Sequence, residues 1–205
     1  MAKSFLLAFI GGSGLYQIED LKNQKWINIK TPWGSPSDRI LSGTVNNNKV
    51  LFLPRHGRSH IYNPSEINYR ANIYALKKLG ATDIISLSAC GSLKENLSPG
   101  TFVLVDQFID KTITRKKTFF EDGIVAHVPM SQPTSKILMK TSLDLNRKQI
   151  VEELHFLESE GFYDMCLRQN LEIGKRDHPL EEAHRQMAVR IISDIKTNEF
   201  NKKFN

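Results

Sequence analysis

The chain has little cysteine: Cys90 and Cys166 are its only two, and neither sits in a CxxC or in a Cys/His spacing that suits zinc. That scarcity excludes a disulfide framework and a structural metal and fits a reducing cytoplasm. Long apolar runs are missing too. No stretch approaches the roughly 20 residues that span a bilayer, so no membrane partner is expected. Phe5–Ile10 follows Lys3 and enters a glycine turn without an Ala-x-Ala-like site, so it reads as a first strand and not as a signal peptide. A GxGxxG fingerprint is absent, because Gln17 stands where its third glycine belongs, and no Gly-Lys-Ser/Thr of a Walker loop follows. There is also no helix-turn-helix pattern and no aromatic-basic platform, which argues against nucleic acid as a partner.

What is present is an ordinary globular composition, 205 residues with 40% hydrophobic and 24% charged side chains. A net charge of +6 favours anionic ligands. The charge is uneven. Residues 1–142 hold 18 Lys+Arg against 10 Asp+Glu, whereas 143–205 hold 10 against 12, so the chain changes character near residue 143.

The densest chemistry is Pro54-Arg55-His56-Gly57-Arg58-Ser59-His60, which follows the apolar run Val50–Leu53. Cations at the end of a buried strand of an α/β sheet suit an oxyanion, since Arg offers a rigid fork of donors and His a further one. A solvated basic turn is the alternative. Two other strand ends point the same way. The first strand runs into Gly11-Gly12-Ser13-Gly14, a turn whose N–H groups and Ser13 hydroxyl can face a phosphate, although a plain tight turn has the same sequence. Asp83–Ser88 reads as a buried strand ending in Ser88-Ala89-Cys90-Gly91, small residues that leave room for a ligand, with the Ser88 hydroxyl as donor. Cys90 is read as a pocket wall; a nucleophile would need a base or a cation that the sequence does not identify.

Between these points, residues 26–29 and 39–45 read as strands around the turn Thr31–Pro36, and Asn46–Asn48 as a hairpin into the strand ending at Leu53. Pro64-Ser65-Glu66 is expected to open a helix with Ser65 as N-cap, Ile67, Ala71, Tyr74 and Ala75 on one face, and Gly80 closing it. Thr101–Val105 and Ile124–Met130 are expected as further strands, with Lys111–Lys117 a solvated basic loop between them. The architecture that follows is α/β, a parallel portion with an antiparallel portion attached.

The stretches GGSGLY, TPWGSPSD, FLPRHGRSH, PSEINYRANIYALKKLG, SACGSLKE, PGTFVLVDQFIDKT, TFF and HVPM, in this order over residues 4–142, resemble the 5′-methylthioadenosine phosphorylases of the trimeric purine nucleoside phosphorylase family. The resemblance implies the nucleoside phosphorylase fold, a central mixed β-sheet flanked by helices. It also implies phosphorolysis of S-methyl-5′-thioadenosine, with inorganic phosphate as co-substrate and neither metal nor organic cofactor. Carried over by motif, Ser13, Arg55, His56, Ser88 and Ala89 would hold phosphate. Ala89, Cys90 and Gly91 would edge the nucleoside pocket, and His127 would be lent to a neighbouring subunit's alkylthio end in a homotrimer. Without the family, His127 reads as a strand-end histidine.

The resemblance stops near residue 142. Family members continue with Met-Glu-Gly-Pro-type, Asn-Met-x-Glu-type and Thr-Asp-Tyr-Asp-type stretches, and residues 143–205 contain none of them. The general acid that protonates the departing purine is therefore not found in this chain, and the phosphorylase domain is expected to be incomplete, with a helical, charged segment of unknown relation at 143–205. In that segment a helix is expected from Asn146 with Ile150, Leu154 and Leu157 on one face, and another from Pro179. Asp177, His178, Glu181, Glu182 and His184 read as helix-start acids and solvent-facing histidines, not as metal ligands. If the segment does supply an acid, Glu152, Glu153, Asp164 and Asp177 are the candidates. A phosphorylase of other purine specificity and a non-catalytic phosphate-binding remnant are the competing functions.

Overall fold

The computed structural model describes residues 5–12, 21–97, 101–121 and 123–146. The described residues divide into two compact units, one running to Ala89 and including Thr114–Phe119, the other made of Cys90–Ile113 and the residues from Phe120 onward.

The first unit is a five-stranded sheet. Strands β1 (Leu7–Gly11), β2 (Lys22–Ile27), β3 (Ile40–Val45), β4 (Asn48–Pro54) and β5 (Asp83–Ser86) lie in the order β2-β3-β4-β1-β5. β1 pairs in parallel with β4 on one side and β5 on the other, while β2-β3-β4 is antiparallel. The mixed character expected from the sequence is therefore observed. Leu7–Gly11 is buried throughout, as a strand paired on both edges and covered on both faces must be. β2 is a polar, lysine-bearing edge strand with a register shift between Lys22 and Lys25 and Asn23 at φ 53. Both features discourage a further strand from adding there.

The β3–β4 hairpin turns on Asn46 and Asn47, both left-handed at φ 53 and 66. Asparagine tolerates that region better than other non-glycine residues, and a two-residue loop with both φ positive matches the twist of the strands it joins. Helix α1 (Tyr69–Lys78) lies over one sheet face, where Leu6, Ala8, Ile10, Ile40, Leu51, Leu53, Ala75 and Leu76 form a buried cluster. On the opposite face Phe9 stacks on Phe52 with ring centroids 5.2 Å apart.

α1 begins later than the sequence suggests. Asn63 Oδ1 accepts from the backbone N–H of Ser65 and Glu66, and Glu66 Oε2 accepts in return from Asn63 N–H. This reciprocal cap closes a separate turn at Asn63–Glu66, so Ser65 is not the N-cap. Asn68 is, with its Oδ1 accepting from Ala71 N–H at 3.1 Å and its Nδ2 donating to the Trp33 carbonyl at 2.6 Å. The C-terminus closes as expected: Gly80 sits at φ 94, Ala81 N–H reaches back to Leu76 O and Gly80 N–H to Lys77 O, the double bond of a Schellman cap.

In the second unit the expected strands Thr101–Val105 and Ile124–Met130 do not form; both stretches are irregular. Strand propensity needs a ladder partner to be realised, and among the described residues neither stretch has one. A second helix, α2 (Lys136–Asn146), follows Ser135, whose Oγ accepts from Leu138 N–H at 3.3 Å. The sequence reading missed it, although a serine before an apolar run is a start signal. The helices expected after Asn146 lie outside the described residues. No helix among the described residues is long and apolar enough to cross a membrane, and no group of three metal-ligating side chains occurs among them.

Candidate functional site

Register brings three strand ends level. Gly11 pairs with Pro54 and Ile10 with Ser86. Arg55 N–H donates to Gly11 O at 2.7 Å, and Leu87 N–H donates to Ile10 O at 2.8 Å. The glycine turn, the basic loop and the Ser88-Ala89 segment therefore leave the sheet at the same edge, the carboxyl ends of three parallel strands, where open α/β sheets bind ligands. Among the described residues, a side chain added at Gly12 would meet nothing within 4 Å.

The structure separates the four basic side chains that the sequence groups together. Arg58 is turned away into an ion pair: its Nε and backbone N–H donate to Asp38 Oδ2 at 2.9 and 2.8 Å and its Nη2 to Asp38 Oδ1 at 3.1 Å, with the guanidinium 4.3 Å from the Trp26 ring centroid. Burial pushes the Asp38 carboxyl up, but the hydrogen bonds from Arg58 and Arg39, with the Arg58 charge, outweigh it and hold the group below its ordinary 3.8. His60 stacks on His56, ring centroids 4.5 Å apart.

Arg55 is the cation presented at the strand ends. Its Nη1 reaches the Leu87 carbonyl at 3.5 Å, spanning from the end of β4 to the end of β5. Its Nε donates to His56 Nε2 at 3.2 Å. These contacts leave outer N–H donors of the guanidinium for an oxyanion. Burial lowers its pKa, with Tyr69 opposing and Arg115 adding to the effect; Arg remains charged regardless.

His56 is 8% exposed, and both its ring nitrogens are engaged. Nδ1 lies 2.8 Å from the Tyr62 carbonyl, which can only accept, so Nδ1 carries the proton, and Nε2 accepts from Arg55. Burial lowers the His56 pKa from 6.5; the Tyr62 carbonyl opposes this, while Arg55 and His60 add to it. The free site thus holds a neutral imidazole.

Ser88 and Ala89 follow Leu87 and are exposed. Ser88 Oγ lies 3.5 Å from the Ala89 carbonyl, a long and weak contact that an anion can replace. Ser13 lies outside the described residues. Cys90, Gly91 and His127 belong to the other unit, where each is exposed, and Cys90 is a free thiol.

Sequence reasoning missed three contributors. Asp38, singled out only within the stretch TPWGSPSD, anchors Arg58. Ser37, beside it, is held by buried Asn72 of α1, whose Oδ1 accepts from Ser37 N–H at 2.8 Å and whose Nδ2 donates to Ser37 Oγ at 2.9 Å. Arg115, read as one cation of a solvated loop, lies 5.5 Å from the Tyr69 ring centroid, its Nε buried and without a hydrogen-bond partner. The only hint in the sequence was the closeness of TFF: Thr118 accepts from Arg70 and Phe119 packs edge-on to Trp33 at 5.0 Å.

Comparison with known proteins gives one consistent result. The sequence matches the Phosphorylase superfamily over residues 6–162. It is 53% identical over 129 residues to an S-methyl-5′-thioadenosine phosphorylase of Cereibacter sphaeroides, covering 63% of this chain and 44% of that protein. It is 55% identical over 130 residues to the one of Rhodospirillum rubrum, with the same coverages. Among solved structures, a methylthioadenosine phosphorylase from an Antarctic soil metagenomic library superposes with TM-score 0.67 at 49% identity, covering 70% of this chain and 50% of the other. The Schistosoma mansoni methylthioadenosine phosphorylase in complex with adenine gives 0.67 at 40%, covering 71% and 55%. The chain spans about half the length of the relatives it matches.

Proposed function

The chain belongs to the phosphorylase superfamily and shares the nucleoside phosphorylase fold, and from that premise we propose that its strand-end site binds inorganic phosphate for the phosphorolysis of S-methyl-5′-thioadenosine. Phosphate attacks C1′ of the ribose and adenine leaves, giving 5-methylthioribose 1-phosphate, a step of purine and methionine salvage. The observation that carries this reading is the Arg55 guanidinium, which bridges two of the three level strand ends. The transition state is oxocarbenium-like, so an ordered phosphate dianion beneath the sugar acts as nucleophile and as electrostatic stabiliser. Positioning is the site's task, and phosphate the only co-substrate it requires.

Arg55 supplies the charged fork, with Ser13, His56, Ser88 and the Ala89 backbone around it. Ala89, Cys90 and Gly91 edge the nucleoside pocket on the strength of the family resemblance. On the same ground His127 serves a neighbour's pocket in a cytoplasmic homotrimer, which sedimentation of the chain at several concentrations reads. A second reading, a phosphate-binding chain without turnover, is favoured by the absence from 143–205 of the three stretches that carry ribose contacts and the general acid. Calorimetric titration with phosphate tests what the two readings share. Arg55→Ala should weaken binding by about 2–4 kcal/mol, as expected for loss of a partly desolvated charge-assisted pair; unchanged affinity removes the assignment.

A further inference from the structure

Resting on the phosphate reading of this site, we infer that His56 meets the bound oxyanion as an imidazolium, so that anion binding draws one proton from solvent onto His56 Nε2. The argument is one of donors and acceptors. In the free site Nε2 is an acceptor, filled by Arg55 Nε at 3.2 Å. An acceptor lone pair repels an anion oxygen that carries no proton, so His56 as it stands is a holder of Arg55 and not a ligand. Two changes can turn Nε2 into a donor. A tautomer exchange would move the proton off Nδ1 and leave that nitrogen's lone pair facing the Tyr62 carbonyl at 2.8 Å, two acceptors in contact in a buried place. Taking up a proton keeps the Tyr62 bond and supplies the new donor at Nε2.

The surrounding charges set the direction. His56 is faced by Arg55 of its own loop and by His60 stacked on its ring; Tyr69 of α1 and Arg115 act on Arg55. Arg55 is the principal positive charge bearing on the ring, and a dianion seated on it cancels that repulsion and adds attraction. An opposite charge within about 4–6 Å typically raises such a pKa by about 1–3 units. His56 therefore exchanges roles on binding. Before the anion arrives it fixes the Arg55 fork, and afterwards it adds a second charged donor.

Sulfate is the decisive probe, because near neutral pH it is a tetrahedral dianion with no hydroxyl of its own to donate to Nε2, as hydrogen phosphate has. Calorimetry of the full chain with sulfate between pH 6 and 8, in buffers of different ionisation enthalpy, should show net proton uptake. The affinity should fall as pH rises, approaching about tenfold per unit. In His56→Gln, checked for folding by circular dichroism, the pH dependence should vanish while binding persists; in Arg55→Met binding should be lost at every pH. Nitrogen-15 shifts of the His56 ring in the unmutated chain give an independent reading, Nε2 moving to the protonated position when sulfate is added. Sulfate affinity that is independent of pH, or an Nε2 that stays unprotonated in the complex, overturns the proton uptake and leaves the Arg55 site standing. Failure of both sulfate and phosphate to bind, or binding indifferent to Arg55→Met, removes the phosphate reading together with this one.

Discussion

The ion pair of Asp38 and Arg58 shows how one carboxylate sorts a basic cluster. Asp38 is 12% exposed and Arg58 35%, so the pair is neither fully screened nor deeply desolvated, and its several hydrogen bonds make it more than a surface contact. Asp38→Asn should cost about 1–2 kcal/mol of stability at neutral pH. It should also remove an acid dependence whose sign is fixed by the lowered Asp38 pKa. The unfolded carboxyl binds a proton more readily than the folded one, so the pair's contribution is complete above about pH 3.8 and disappears as pH falls through the folded value. His56, lowered from 6.5 by burial first, acts in the same direction in its own window: stability declines as pH falls below 6.5. Urea unfolding from pH 3 to 7 reads both, and an Asp38→Asn chain as acid-sensitive below pH 4 as the parent would sink the first. At this scale the sequence revealed which residue types gather but not how they pair. Arg55 and Arg58 are three positions apart and chemically alike; what separates them is an aspartate twenty positions away, which a reading of local spacing does not reach.

Elements were legible where their signals were local. Asn46-Asn47 announced its hairpin because both positions need positive φ. Gly80 announced the end of α1 for the same reason, and the apolar runs of β1 and β4 announced strands buried on both faces. The start of α1 was misplaced because two overlapping caps compete, and the Asn63/Glu66 pair satisfies the first turn before the helix begins. Asn68 carries that helix start. Asn68→Ala removes the cap on Ala71 and the bond to Trp33 O together, and should destabilise the chain by about 1–2 kcal/mol. Ser65→Ala, at the position the sequence suggested, should be nearly neutral. Chemical denaturation of the two variants side by side distinguishes the assignments, and equal losses would contradict the Asn68 cap. The strands expected at 101–105 and 124–130 were misjudged for a non-local reason. An alternating apolar segment is only half of a ladder, and the other half is not written in the segment.

For the molecule as a whole, the proposed phosphate binding and the chemistry of a leaving group are separable. Protonation of a departing base by a positioned acid typically contributes about 10²–10⁴-fold, and ribose contacts add transition-state binding beyond that. Without the stretches that carry them in the family, adenine release from saturating S-methyl-5′-thioadenosine and phosphate should stay near background while phosphate still binds. Turnover in the usual range of about 1–10³ per second would mean that 143–205 supplies an acid, with Glu152, Glu153, Asp164 and Asp177 the first to substitute. The sheet order carries one more consequence, for the chain as it is made. β1 precedes both of its partners in the chain but lies between them, between β4 and β5, and the residue before it is tied to Thr82, 76 positions later. The apolar segment Leu7–Ile10 therefore has no ladder partner until β4 has been made, and its other edge stays unpaired until β5 follows. At about 5–20 residues per second that second edge stays open for several seconds or more after β1 is made, available to any other extended segment that can pair with it.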